Sequence, residues 1–209
     1  MTPERDCPRC PRLVAYRAEY RAREPGWFNA PVPSFGGLDA ALLVVGQAPG
    51  VNGANRTGRP FTGDYAGVLL YNTLVKFGFA RGEYQERADD GLVLVNCRIT
   101  NAVRCAPPQH KVETSDKASC NPFLQAEIAA MPQLRAILAL GGISHLMTLK
   151  ALGVKAAGHV FAHGALHEPR AGLLLADSYH VSRYNTSTKR LNAAMFEKVV
   201  GDIKGFLQG

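Results

Sequence analysis

An α/β fold with a mainly parallel, four-stranded sheet covered on both faces by helices is what this sequence predicts. Three observations carry that expectation. Four short runs are continuously apolar, stretches with a helical repeat separate them, and glycine- or asparagine-rich turns follow them. A strand that is apolar on both sides must be buried on both sides, which is the situation of a parallel sheet between helical layers.

The elements follow in order. Residues 41–45 (ALLVV) read as the first buried strand. Residues 64–77 have a helical repeat, with Val68, Leu69, Tyr71, Asn72 and Val75 on neighbouring turns and Gly78 as the stop. Residues 92–95 (LVLV) form the second strand, and 114–131 a helix after the turn at Pro107 and Pro108. Residues 134–140 (LRAILAL) are the third strand, ended by Gly141 and Gly142, and 143–152 the next helix. Residues 173–176 (LLLA) are the fourth strand. A long amphipathic helix spans 188–207, with Thr186 or Ser187 as its cap. The expectation is a single domain over residues 1–209.

Composition narrows the setting. No apolar run approaches the roughly 18–20 residues that cross a bilayer, and MTPERDCPRC lacks the apolar core of a signal peptide. A soluble, cytoplasmic protein with no membrane partner is expected. The net charge is +7, and its distribution is uneven. Residues 40–63, 91–112 and 178–196 contain no Asp or Glu but hold Arg56, Arg59, Arg98, Arg104, Lys111, Arg183, Lys189 and Arg190. Basic loops of this kind suit a polyanion, because each neutralised phosphate releases a counterion. In a parallel α/β sheet the ligand crevice lies beyond the carboxyl ends of the strands, where these windows fall.

The first loop, GQAPGVNGANRTGRPFTGD, spans residues 46–64 between a strand and a helix. It lacks both the dinucleotide fingerprint and the GK of a Walker A loop. Asp64 is the sole carboxylate between residues 40 and 82. Such a group can orient and polarise a water; it is equally suited to a helix N-terminus, where it favours the macrodipole. Asn96 and Asn101 bracket the second strand end, and a carboxamide there either reads a base edge or closes a turn on its own backbone. HVSRYNTSTKRL, from His180 to Leu191, leads into the last helix. His180 can support negative charge on a leaving group, Arg183 and Tyr184 can fill the space of an extruded base, and Ser182 and Asn185 can donate to phosphates. A plain capped helix start is the bland alternative.

Five cysteines argue against a disulfide framework. Cys7 and Cys10 form a CxxC, and with Cys105 and Cys120 they can hold zinc or an iron–sulfur cluster. Cys97 reads as a buried free thiol.

Together these motifs resemble the iron–sulfur uracil-DNA glycosylases of bacteria and archaea. The likeness covers most of the chain, in the cysteine pattern, GQAPG, GANRTGRPFTGD, NAVRC and the H-x-S-x-x-N loop. NRTGRPFTGD and HVSRYNTSTKRL look like the two motifs of family 5, the type B enzymes. The resemblance implies a three-layer α/β/α fold and a 4Fe–4S cluster on Cys7, Cys10, Cys105 and Cys120. It implies that Asp64 acts on the hydrolytic water, that Phe61 stacks on a flipped base, that Asn101 reads its edge, and that His180 assists its departure. Gly46, Gln47 and Ala48 would line the base pocket, while Arg56, Arg59, Ser182, Arg183, Tyr184, Asn185 and Lys189 would hold the strand.

The implied protein is a monomeric, monofunctional glycosylase of base-excision repair, nucleoid-associated in a prokaryotic cytoplasm. Its substrate is single- or double-stranded DNA containing uracil, and also hypoxanthine. Gln47 and Gly50 depart from the type B pattern toward the GEAPG of family 4, and Val181 replaces the usual proline. The rivals are a non-catalytic nucleic-acid-binding protein with a structural or redox metal centre, and a hydrolase of free nucleosides.

Overall fold

The computed structural model describes residues 2–209. Five strands form the central sheet: β1 (Leu42–Gly46), β4 (Cys97–Asn101), β5 (Ala136–Leu140), β6 (Leu166–Arg170) and β7 (Leu173–Ser178). Their order is β4-β1-β5-β7-β6. The first four run parallel, and β6 adds to the edge antiparallel to β7. A second, two-stranded ribbon pairs β2 (Ala80–Arg81) with β3 (Val93–Leu94).

Alternation along the strands explains the three layers. Leu42 and Val44 point into one core, with Leu70 and Leu74 of α3 (Tyr65–Lys76) and Phe196, Val199 and Ile203 of α7 (Ala193–Gln208). Leu43 and Val45 point into the other, with Leu124 and Ile128 of α4 (Thr114–Ala129) and Leu149 and Leu152 of α5 (Gly142–Leu152). Strands β5 and β7 divide in the same way. Runs with no polar positions are the consequence of a sheet wetted on neither face.

Three expectations need correction. The run at 92–95 is not the second sheet strand: Val93 is 60% exposed and pairs only in the small ribbon. Asn96, with φ +50, turns the chain, and the sheet strand is the following segment, CRITN. The edge strand β6 (LHEPR) is polar and contains Pro169, which suits an edge and hides it from an apolar search. The last helix starts at Ala193, capped by the Asn192 side chain, which accepts from Met195 N–H at 2.9 Å. A separate short helix, α6 (Arg183–Ser187), precedes it, and Lys189 at φ +58 divides the two.

The N-terminal helix α1 (Pro11–Arg23) was not expected from the sequence. Pro11 sits in its first turn, where no amide donor is needed. Arg12 pairs with the buried Asp116, tying α1 to the first turn of α4. The remaining short elements are α2 (Ala54–Thr57) and a 3-10 turn at Pro108–His110.

Candidate active site

One crevice opens beyond the carboxyl ends of β1, β4 and β7. Gln47, Ala48, Phe61, Asp64, Asn101, His180, Ser182, Arg183, Tyr184 and Asn185 line it, so most of the residues singled out in the sequence share one space. Gly46, expected in the base pocket, does not line the crevice and lies instead against Asn101 and Phe61, which do. It lies in register with Asn101 on the neighbouring strand. A Cβ on Gly46 would stand 2.4 Å from Asn101 Oδ1 and 2.5 Å from Phe61 Cζ.

Asp64 precedes α3 in the N-cap position, yet its side chain makes no capping hydrogen bond. Its Oδ1 is buried without a partner among the described residues. Burial raises its pKa above the ordinary carboxylate range, against the pull of the Ala66 and Gly67 amides. Gly50 and Gly53 make room for it: a Cβ on either would lie 2.7 Å or 2.2 Å from Asp64 Oδ2. A carboxylate with an unfilled acceptor at a crevice wall is chemically suited to a water.

His180 sits opposite, its ring centroid 6.1 Å from that of Phe61. Burial lowers its pKa to about 4, so the imidazole is neutral at physiological pH. Its backbone carbonyl accepts from Asn185 Nδ2 at 2.7 Å, which commits that carboxamide to holding the loop. Val181 is fully buried in the core beneath, anchoring the segment by packing.

Phe61 has φ +52, a strained conformation for an aromatic residue. The chain around it is held from behind. Tyr84 Oη donates to the Phe61 carbonyl at 3.0 Å, and Tyr71 Oη donates to that of Pro60 at 2.6 Å. Arg59 lies among the rings of Phe35, Tyr71 and Tyr84, 5.2, 5.3 and 5.9 Å from their centroids. Both its terminal nitrogens reach Asp90 at 2.7 Å. The Arg59 hydrogen bond holds the Asp90 carboxyl down at about 2, despite burial.

Arg59 is therefore buried away from solvent and does not face the crevice, against the expectation that it grips DNA. Two other arginines of the acid-free windows are also neutralised internally. Arg98 and Arg104 both pair with the buried Glu127. Burial would raise the Glu127 carboxyl, but the two guanidinium groups outweigh it and hold it low. The outward cations of these windows are Arg56, Lys111, Arg183, Lys189 and Arg190. Arg56 braces its own loop through Asn52 O at 2.9 Å, and Arg183 stacks over Tyr65 at 5.4 Å. Lys189 lies outside the crevice, in a neighbouring groove with Asn72 and Lys76. Tyr184 stands 71% exposed at the rim.

Sequence reasoning assigned no site role to Tyr65, Pro107 and Arg190, which also line the crevice. His110 is a crevice residue as well. The signal for His110 was its place in the loop after NAVRC, where both Gln109 and His110 take positive φ.

Cys7, Cys10, Cys105 and Cys120 all line a second, small cavity between α1, α4 and the segment after β4. Cys97 lies in the sheet core instead. The four thiols surround the space rather than closing on one point. Among the described residues, the His, Cys, Asp and Glu atoms that gather within 4.8 Å of one another are those of His145, His167 and Asp177. Thiolates on a single zinc would stand about 3.8 Å apart, given bonds of about 2.3 Å. A polynuclear centre fits the spread better. Burial pushes Cys105 up to about 11 and Cys120 up to about 12, so thiolates here need a cation to hold them. Arg17 approaches Cys105 Sγ at 3.5 Å, and the Arg104 amide donates to Cys120 Sγ at 3.3 Å. Ala48 packs against this cluster while lining the active-site crevice.

Residues 33–204 match the family profile described as the uracil DNA glycosylase superfamily. A type-5 uracil-DNA glycosylase of Thermus thermophilus is 42% identical over 95% of this chain and 92% of its own length. One of Mycobacterium leprae is 40% identical over 95% and 90% of the two chains. A type-4 enzyme of Pyrobaculum aerophilum is 32% identical over 73% of this chain and 64% of its own. With its crevice, its cysteines and these likenesses over nearly the full length, the chain belongs to the uracil DNA glycosylase superfamily, in the type-5 family.

Proposed function

We propose that this chain is a monofunctional glycosylase that extrudes uracil from DNA and hydrolyses its bond to the sugar, leaving an abasic site for base-excision repair. The single observation that carries this reading is the convergence of Phe61, Asp64, Asn101 and His180 on one crevice. Each has a part. Phe61 stacks on the extruded ring. The Asn101 carboxamide donates to uracil O4 and accepts from N3–H, a polarity that cytosine reverses. As the glycosidic bond stretches, the neutral His180 donates to the departing anionic base. Asp64 holds and polarises the water that adds to the sugar carbon, and offsets its positive charge. Extrusion costs a few kcal/mol, least at a mismatch. Arg183 and Tyr184 at the rim occupy the vacated stack, with Ser182, Asn185, Arg56 and Lys189 placed around the strand.

Ala48, Gly50 and Ala66 give the crevice small walls, which supports a range extending to hypoxanthine. Cys7, Cys10, Cys105 and Cys120 would hold a 4Fe–4S cluster, whose contribution is to pin α1 against the segment after β4. The chain acts as one domain and as a monomer, in a prokaryotic cytoplasm.

Oligonucleotides carrying uracil or hypoxanthine, treated with the protein and then alkali, test the reaction. Scission at uracil is expected in duplex and single strand. No scission across all deaminated bases would leave a binding protein without chemistry, and release of uracil from free uridine would point to a nucleoside hydrolase. Iron and sulfide in the brown protein, lost in Cys120→Ser and kept in Cys97→Ala, test the cluster; a colourless zinc protein would overturn it.

A further inference from the structure

At the far side of the sheet from β4, a group of buried side chains plays no part in the crevice. His145 on α5, His167 on β6 and Asp177 on β7 meet there. His145 Nδ1 lies 2.8 Å from Asp177 Oδ1, and His167 Nε2 lies 3.1 Å from Asp177 Oδ2. The side chains of His145 and Asp177 are fully buried, and that of His167 is 12% exposed.

The placement of hydrogens makes this group unusual. His145 Nε2 is 2.8 Å from the carbonyl oxygen of His159, which only accepts. Nε2 must therefore carry a hydrogen. In a neutral ring Nδ1 is then a lone pair aimed at a carboxylate oxygen. Two acceptors at that distance, out of water, repel unless something positive lies between them. A proton or a metal ion satisfies the requirement.

Three features favour the metal. Two imidazoles and a carboxylate are a zinc-type ligand set. A ligating histidine characteristically donates its other N–H to a backbone carbonyl, as His145 does to His159. His159 adds a buried Nδ1 with no partner among the described residues, on a ring 5.7 Å from that of His167. The separations also fit. Bonds of about 2.0–2.1 Å set tetrahedral ligands about 3.3 Å apart, near the 2.8 and 3.1 Å of the two nitrogen–oxygen contacts, and all three ligand atoms lie within 4.8 Å of one another.

We propose that His145 Nδ1, His167 Nε2 and Asp177 form a second metal site, for a divalent transition ion of the zinc class, with His159 as the fourth donor. The ion closes α5, β6 and β7 on one another just before the loop that carries His180. On binding, His145 keeps its Nε2–H, His167 moves its hydrogen to Nδ1, and the proton shared between His145 and Asp177 leaves. One proton is released per ion.

Chelator-treated full-length protein, titrated with zinc by calorimetry in two buffers and with cobalt by visible absorption, tests the site. The expected result is one ion per chain bound through nitrogen and oxygen, without thiolate-to-cobalt bands, and with one proton released. Zinc should raise the Tm of the wild type but not of His167→Ala, in which affinity falls at least about tenfold. His167→Ala should fold, since it alters a partly exposed position on the edge strand, and it should keep its iron and its activity on uracil. Cys120→Ser should bind zinc at this site as the wild type does. Unaltered zinc affinity in His167→Ala, cobalt bands from thiolate alone, or a doubly protonated His145 by nitrogen NMR in saturating zinc would each overturn the proposal.

Discussion

Gly46 and Asn101 stand side by side at the ends of two parallel strands, and the missing Cβ of Gly46 gives the Asn101 carboxamide its place against the Phe61 ring. A methyl at residue 46 would overlap Asn101 Oδ1 and Phe61 Cζ at once. Gly46→Ala should cost about 1–3 kcal/mol of stability through overpacking. Activity on uracil should fall further, on the order of 100-fold, because a shift near 1 Å at the reacting groups is that costly. DNA binding at the rim should persist. Single-turnover excision alongside denaturant unfolding measures both, and wild-type excision in a folded variant would show that the contact does not position the base.

Asp64 carries a buried oxygen without a partner, and its pKa is raised by burial. A raised folded value means that the folded chain holds the proton more tightly than the unfolded one. The ionised form therefore opposes folding, increasingly as pH rises from the ordinary Asp value of 3.8 through the raised one. Asp64→Asn removes that cost and keeps a good N-cap residue. It should stabilise the protein by about 1 kcal/mol at neutral pH, with the gain vanishing as pH falls toward 4. Excision should meanwhile drop by about 100- to 10,000-fold. A variant that turned over normally would remove Asp64 from the hydrolytic step.

How far the sequence showed these features depends on where each charge found its partner. Strands β1, β5 and β7 were legible because both their faces meet apolar layers. Strand β4 was not, because Arg98 and Thr100 look like loop residues until Glu127, distant in sequence, is seen to bind them both. Asp64 stood out because no other acid lies near it in sequence. Arg59 was misread for the converse reason: Asp90 lies outside the acid-free window and returns to it only through the turn that follows β2. Linear charge windows report local composition, whereas ion pairs form across tertiary contacts.

The Arg59–Asp90 pair is accordingly a stability element behind Phe61 and not a phosphate contact. Asp90→Asn leaves a buried guanidinium without its carboxylate, which should cost about 3 kcal/mol. For a chain of this size that lowers Tm by roughly 6–12 °C. The salt dependence of DNA binding should not change, whereas Arg183→Ala should reduce its slope by about one phosphate. Arg59→Lys, which keeps the charge, covers the case in which Asp90→Asn fails to fold. A salt slope lowered by Arg59→Gln, which removes the charge, would return Arg59 to the DNA interface.

His180 supplies the last test, because its proposed role depends on being neutral. Burial depresses its pKa from 6.5 to about 4. A group with a depressed folded value stabilises the fold fully above its unfolded pKa, and the benefit is lost as pH falls from about 6.5 toward 4. The imidazole should thus remain a neutral donor where a free histidine is already half protonated. Excision should show no limb near 6.5 from this residue, and its acid limb should instead follow the carboxylate of Asp64, which must be ionised to hold the water. Imidazole NMR shifts followed through the same pH range as single-turnover rates separate the two groups. A His180 resonance that titrates near 6.5 together with the excision rate would mean that the ring acts as a charged acid, and the leaving base would then depart protonated instead of as an anion.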